Sequence, residues 1–325
     1  MKIITAEDIR RNIRMSDMIP EMKRAYLLLR EGRSITPLRT VTDPEGDRPQ
    51  ILYKPSYDCT NGQIAVKLLS QLKRSKGSGI PTIQGLVVLF DGEQNSILSV
   101  MDGRLLTAMR TGAASGLATE ILSRKDSRVL AVFGAGAQAY TQIQAIMEVR
   151  PIERVVVFDL FPEAVDRLVE YFTPVYSGTV FAKGNLETDL GEADIICTVT
   201  NSKTPLFATE NLKQGVHINA IGSFCKDMVE LPEDVYTGAL LYVDQESSCF
   251  VESGDLIGPS AKGIINETNY RGEIVGLITG AVQGRDSADR RTIFKSVGVA
   301  TQDLVTAQLI YNKALKHGFG IDVDL

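Results

Sequence analysis

The sequence predicts an α/β protein built from a doubly wound parallel sheet and a smaller, discontinuous α+β domain. Three observations carry that prediction. An apolar run from Val129 to Phe133 breaks on Gly134-Ala135-Gly136-Ala137-Gln138-Ala139 and then turns helical. A second apolar run, Val155 to Phe158, ends on Asp159, about 20 residues beyond the glycines. Before residue 128 strands follow strands; after it strands alternate with helices.

In chain order, residues 5–32 read as helical. Thr5 with Asp8 forms a capping box in which Asp replaces the usual Glu. Met18, Ile19, Met22, Ala25, Tyr26 and Leu29 recur at helical spacing, and Gly32 stops the run. Segments 35–41, 50–54, 63–70, 82–90 and 96–101 are short and β-branched or alternating, which predicts a mixed sheet of about five strands. Leu105 to Ser123 is helical and rich in Ala and Gly, as close packing requires. Six strands are then expected, at 128–133, 153–158, 178–182, 194–199, 217–221 and 240–243. Residues 250–292 read as irregular and then helical. A last helix, from about Gly298 to Lys316, has an apolar face with no place in that six-strand count, so it is expected to return to the N-terminal domain.

The glycine pattern is the phosphate-binding turn of a Rossmann fold. Gly134 permits the sharp turn, Gly136 lets the backbone approach a pyrophosphate, and Ala139 allows close helix–strand packing. The N–H groups and positive end of the following helix suit phosphate, with Ala135, Ala137 and Gln138 in the same loop. Asp159 is placed to accept hydrogen bonds from the adenosine ribose. Its charge would repel a 2′-phosphate, so NAD(H) is expected rather than NADP(H).

The bulk numbers exclude several classes. A net charge of −5 over 325 residues argues against nucleic acid as the main partner. No secretory h-region opens the sequence and no apolar run reaches membrane-spanning length, so a cytoplasmic protein with no membrane partner is expected. The four cysteines contain no C-x-x-C pair and the two histidines are far apart, so no metal site is expected.

Three basic residues sit in apolar or small-residue surroundings: Arg39, Lys67 and Arg110. Each has two readings. Lys67 either alternates to a solvated face or points into a cleft, where burial would lower its pKa and make it a carboxylate ligand or acid. Arg110 and Arg39 are either surface salt-bridge partners or bidentate carboxylate ligands. Lys73, Arg74 and Lys76 read as a solvated basic loop. No serine or cysteine nucleophile motif is present. A dinucleotide with three basic groups points to a small anionic substrate, an α-amino, α-imino or α-keto acid.

Six stretches, the glycine turn among them, make the sequence resemble the ornithine cyclodeaminase/mu-crystallin family over essentially its whole length. They are Pro81-Thr82-Ile83-Gln84-Gly85, Met109-Arg110-Thr111-Gly112-Ala113-Ala114, Phe133-Gly134-Ala135-Gly136-Ala137-Gln138, Cys197-Thr198-Val199-Thr200, Ile218-Asn219-Ala220-Ile221-Gly222 and Phe294-Lys295-Ser296-Val297-Gly298. The resemblance implies a homodimer. It implies a substrate-binding and dimerisation domain at 1–113, completed by 298–325, and an NAD-binding domain at 114–297. It places Arg39, Lys67, Thr82 and Arg110 around a substrate carboxylate, with Lys67 delivering the proton. It places Thr111, Gln138, Asp159, Thr198, Thr200, Ile221 and Ser296 in the cofactor site. Where the cyclodeaminases of the family carry an aspartate, this sequence has Phe224, with Asp227 three residues on. The implied activity is therefore NAD(H)-dependent reduction of a cyclic imino acid or ketimine, or amino-acid dehydrogenation. Ornithine cyclodeamination with catalytic NAD and a mu-crystallin-like, dinucleotide-dependent ligand-binding role are the alternatives. Lys54 is a second departure: it is either a surface lysine or a ligand for a second acidic group.

Overall fold

The computed structural model describes residues 1–37, 39–46, 48–72 and 82–324. Lys73, Arg74, Lys76 and Pro81 lie outside the described residues. Two compact units emerge, residues 1–110 with 299–325, and residues 111–298.

The N-terminal stretch begins with β1 (Lys2–Ile4), α1 (Ala6–Asn12) and α2 (Met15–Arg30). The expected capping box is present: Asp8 N donates to Thr5 Oγ1 and Thr5 N donates to Asp8 Oδ2. Strands β2 (Ser34–Ile35), β3 (Thr40–Thr42), β4 (Gln50–Asp58), β5 (Gln63–Gln71), β6 (Ile83–Asp91) and β7 (Ser96–Asp102) follow, then the long helix α3 (Gly103–Leu122).

The second unit is a parallel sheet wound in both directions from its first strand. It contains β8 (Val129–Phe133), α4 (Ala137–Val149), β9 (Arg154–Phe158), α5 (Pro162–Phe172), β10 (Val180–Lys183), β11 (Ile195–Thr198), β12 (His217–Ala220), β13 (Leu240–Val243), α6 (Glu246–Glu252), α7 (Gly254–Ala261), β14 (Tyr270–Glu273), α8 (Ile274–Ile278) and β15 (Thr292–Lys295). Spatially the strands run β10-β9-β8-β11-β12-β15-β13-β14. The expectation of six strands is therefore corrected to eight among the described residues, and β15 inserts between β12 and β13. Side chains alternate across the sheet into two cores. Ala131, Val156, Ile196, Ile218 and Leu241 serve one face. Leu130, Val132, Val155, Val157 and Ile195 serve the other. The small residues of α3 have a visible cause: a Cβ on Gly112 would lie 2.4 Å from the Thr141 carbonyl oxygen of α4.

After β15 the chain re-enters the first unit as α9 (Ala300–His317) and β16 (Ile321–Asp322). The first unit's sheet runs β16-β1-β7-β6-β5-β4-β2, with β3 also on β4, so among the described residues eight strands replace the expected five. The additional strands are two- or three-residue pieces, too short to show a period. α9 packs on α2 and on β4, β5 and β6. The face it covers presents Ser56, Asp58, Ala65, Lys67, Leu69, Val87 and Leu89, all buried. The opposite face presents Pro55, Val66, Leu68, Leu86, Val88 and Val100, which are only half-buried.

Candidate active site

The first unit buries a charge cluster where β5 meets the first turn of α9. Alternation on β5 turns Lys67 inward with Ala65 and Leu69. Its ammonium lies 2.7 Å from Asp303 Oδ2, with both side chains almost fully buried. Arg110, on α3, donates Nε to Asp303 Oδ1 at 3.1 Å and Nη1 to Gln302 Oε1 at 3.1 Å. Gln302 is itself fixed: its Nε2 donates to the Tyr26 hydroxyl and its Oε1 accepts from Val299 N. Lys54 of β4 pairs with Lys67 in the antiparallel register, which sets the two on the same face.

Burial, then the charges of Arg110 and Lys54, push the Lys67 pKa well below that of a free lysine, against the pull of Asp303. Burial pushes the Asp303 carboxyl up, but Lys67, Arg110 and Lys54 outweigh it and hold it below the usual aspartate value. Asp303 therefore stays ionised and orients two cations, while Lys67 is made a stronger acid than a free lysine.

The second unit carries the glycine turn at the carboxyl end of β8. Gly134 adopts φ +100°, and a Cβ there would lie 2.8 Å from the Val199 carbonyl oxygen. Gly136 caps α4, and a Cβ on it would meet no atom within 4 Å. The turn thus leaves open space over a helix N-terminus, which fits a pyrophosphate. Asp159, at the end of β9, accepts from Ala135 N at 2.6 Å and from Phe161 N at 2.9 Å. Its carboxylate is thereby held against the loop it was expected to serve. Gln138 adds a buried Oε1 that has no hydrogen-bond partner among the described residues.

The remaining expected cofactor residues cluster at strand ends. Thr198 closes β11, and its hydroxyl donates to Glu230 Oε2 at 2.7 Å. Thr200 gives both its N–H and its hydroxyl to Glu230 Oε1. Ile221 follows β12, its N–H donating to the Thr198 carbonyl. Ser296 follows β15 and donates its hydroxyl to Asp244 Oδ2 at 2.6 Å. Thr111 is buried in α3. The hydroxyls of Thr198, Thr200 and Ser296 are thus turned to buried carboxylates.

Lys67 and Arg110 are brought together. Arg39 lies half-buried between β2 and β3, and Thr82 is exposed one residue ahead of β6. Asp227 is exposed and pairs with Lys203 at 2.7 Å. Phe224 packs half-buried against the second unit's core. Sequence reasoning missed Asp303, Gln302, Glu230 and Asp244. Asp303 left one legible trace, an acid between Gln302 and Leu304 on a strongly apolar helix face.

Residues 1–318 match the ornithine cyclodeaminase/mu-crystallin family. A Delta(1)-pyrroline-2-carboxylate reductase of Bacillus cereus is 33% identical over 321 residues, covering 98% of each chain. The structure of the Thermococcus litoralis Delta(1)-pyrroline-2-carboxylate reductase, in complex with NADH and L-proline, superimposes with a TM-score of 0.94 at 35% identity. It covers 99% of this chain and 100% of its own. An archaeal alanine dehydrogenase dimer with bound NAD gives a TM-score of 0.90 at 28% identity, covering 100% of this chain and 99% of its own. With its Rossmann sheet, its glycine turn and a match over nearly its full length, the chain belongs to the ornithine cyclodeaminase/mu-crystallin family.

Proposed function

We propose that this protein is an NADH-dependent reductase of small cyclic α-imino acids, with pyrroline-2-carboxylate as the leading substrate. The observation that carries the reading is the buried Lys67–Asp303–Arg110 cluster. Two cations share one carboxylate there, so an incoming substrate carboxylate supplies a second anion. Arg110 would hold that carboxylate, with Arg39 and Thr82 completing the group. Lys67, its pKa depressed, would give its proton to the imine nitrogen. Bound NADH would supply the hydride that reduces the imine carbon. Thr111, Gly134, Ala135, Gly136, Ala137, Gln138, Asp159, Thr198, Thr200, Ile221 and Ser296 would line its site. The open turn at Gly136 and the position of Asp159 support NAD(H) over NADP(H). The Bacillus cereus and Thermococcus litoralis relatives, named as pyrroline-2-carboxylate reductases, support the substrate class. Phe224, which cannot move a proton, speaks against ornithine cyclodeamination.

A homodimer is part of the same reading. The half-buried apolar face of the first unit's sheet gives a second copy something to cover, and the archaeal relative is described as a dimer. A cytoplasmic location is supported by four free thiols, Cys59, Cys197, Cys225 and Cys249. Among the described residues no helix is long and apolar enough to cross a membrane.

The test is NADH oxidation with pyrroline-2-carboxylate, together with the Lys67→Ala variant. Wild type should form proline. Lys67→Ala should lose a factor of about 10²–10⁴ in turnover while still binding NADH. Release of ammonia from ornithine without net NADH consumption would establish the cyclodeaminase instead. A Lys67→Ala variant with near-normal rates would remove Lys67 from the chemistry.

A further inference from the structure

Glu230 lies outside every sequence motif read above, yet it joins the ends of two central strands. Its side chain is fully buried. Oε1 accepts from Thr200 N at 2.6 Å and Thr200 Oγ1 at 2.8 Å. Oε2 accepts from Thr198 Oγ1 at 2.7 Å and Gly222 N at 2.8 Å. Gly222 has no Cβ for a reason: one would stand 2.4 Å from Glu230 Oε1 and 2.3 Å from the Thr200 carbonyl oxygen. Thr198 ends β11, Thr200 lies two residues beyond it, and Gly222 lies two residues beyond β12, so one carboxylate fixes both loops at the carboxyl edge of the sheet.

All four donors are uncharged. Behind Glu230, Asp255 accepts from the backbone N–H groups of Glu230 and Leu231 and pairs with Lys295 at 3.2 Å. The Asp255–Lys295 pair balances its own charge, which leaves Glu230 as the unbalanced anion of this buried group. Burial and the Asp255 charge outweigh the four donors and Lys295, so its pKa is raised above that of a free glutamate; the geometry is that of a carboxylate, because each oxygen accepts a backbone N–H. In a doubly wound sheet the first half, here the glycine turn and Asp159, takes the adenosine side of a dinucleotide. The second half, from β11 onward, takes the nicotinamide side. Giving up a hydride leaves a nicotinamide ring cationic, and a fixed buried anion on that side favours the charged ring.

We propose that Glu230 is a positioning residue that shapes the nicotinamide side of the crevice through Thr198, Thr200 and Gly222, and that its buried charge biases binding toward NAD⁺ over NADH. This rests on the cofactor reading given above. It assigns the carboxylate two effects, one steric and one electrostatic, which can be measured apart.

The experiment measures dissociation constants for NADH, NAD⁺ and AMP, without substrate, for wild type and Glu230→Gln. NADH is titrated by its fluorescence, and the other two compete against it. The ratio of the NAD⁺ constant to the NADH constant should rise about tenfold in the variant, on the scale of one buried unit charge. AMP affinity should stay unchanged. A wild type that binds neither dinucleotide overturns the cofactor reading and this proposal with it. An unchanged ratio, or an equal loss for all three ligands, overturns this proposal alone. If Glu230→Gln does not fold, Thr198→Val removes one of the four donors and should move the same ratio the same way by a smaller factor. No movement there overturns the proposal.

Discussion

Asp303→Asn is the sharpest perturbation of the charge cluster, because it keeps the shape and removes only the charge. Asp303 is 1% exposed, with Lys67 Nζ at 2.7 Å and Arg110 Nε at 3.1 Å. Asparagine would leave two buried cations without their common anion. Removing one partner of a buried pair costs about 3–5 kcal/mol, because the charge left behind is not resolvated. At about 2.1 cal/mol/K of unfolding entropy per residue, a chain of 325 residues shifts by about 1.5 °C per kcal/mol, so the melting temperature should fall by about 4–7 °C. The assay is a thermal melt of both proteins across a pH series. The sign follows from the direction of the shift. Asp303 has a folded pKa held below the ordinary value of 3.8, so its contribution is complete above 3.8 and disappears as pH falls through the depressed folded value. The gap between wild type and variant should be wide at neutral pH and close in strong acid. A melt within about 1 kcal/mol of wild type would show that these charges are not a mutually dependent buried group. A gap that persists in strong acid would show the same.

Two further perturbations probe the second unit. His217 is buried, with Nδ1 at 3.0 Å from Thr292 Oγ1 and Nε2 at 3.3 Å from Asn219 Oδ1. Burial, helped by the Arg285 charge, lowers its pKa from 6.5 to about 3. Between those values the unfolded chain takes a proton that the fold refuses, so stability falls on acidification by about 1.4 kcal/mol per pH unit. Urea unfolding at several pH values should show this slope below 6.5 in wild type and a flatter one in His217→Gln; equal slopes would dismiss the histidine as the cause. For the cofactor, Asp159→Ser should narrow the preference for NADH over NADPH in competitive binding, and an unaltered preference would release Asp159 from that role.

How much of this could be read from the sequence depended on whether a residue's partners were near it in the chain. The glycine turn, the capping box at Thr5 and the helix α3 are local, and their residue patterns predict them directly. β15 escaped notice because a four-residue strand buried on both faces has no alternation to show, and it follows a turn-rich stretch. β14 was hidden for a different reason. Its sequence, Tyr-Arg-Gly-Glu, has no apolar pattern, and its register shifts beside β13. Lys67 was legible as an anomaly, a lysine in an apolar strand, but the sequence left open which way it faced. The answer lies more than two hundred residues away, in Asp303. The role of Glu230 was not legible, because its partners are strand ends that only the folded sheet brings together.

The two buried acids show how one chemical need is met in two ways. Asp303 faces cations and is held ionised by them. Glu230 faces uncharged donors, whose four hydrogen bonds favour its ionised form, while burial and Asp255 outweigh them and raise its pKa. Their consequences for the proposed reaction differ accordingly. Asp303 attracts Lys67 and so resists loss of the proton that Lys67 is to deliver, while burial and the neighbouring cations promote it. The balance makes Lys67 a stronger acid than a free lysine. A substrate carboxylate entering beside Arg110 tips that balance toward the charged lysine, which ties the readiness of the proton to occupancy of the site. Among the described residues Glu230 has no cationic partner of its own that a substrate carboxylate could draw away, so its proposed effect falls on which cofactor state is favoured. Exchanging the acids for their amides should therefore separate the two roles. Asp303→Asn should alter stability and proton delivery, and Glu230→Gln the balance between NAD⁺ and NADH.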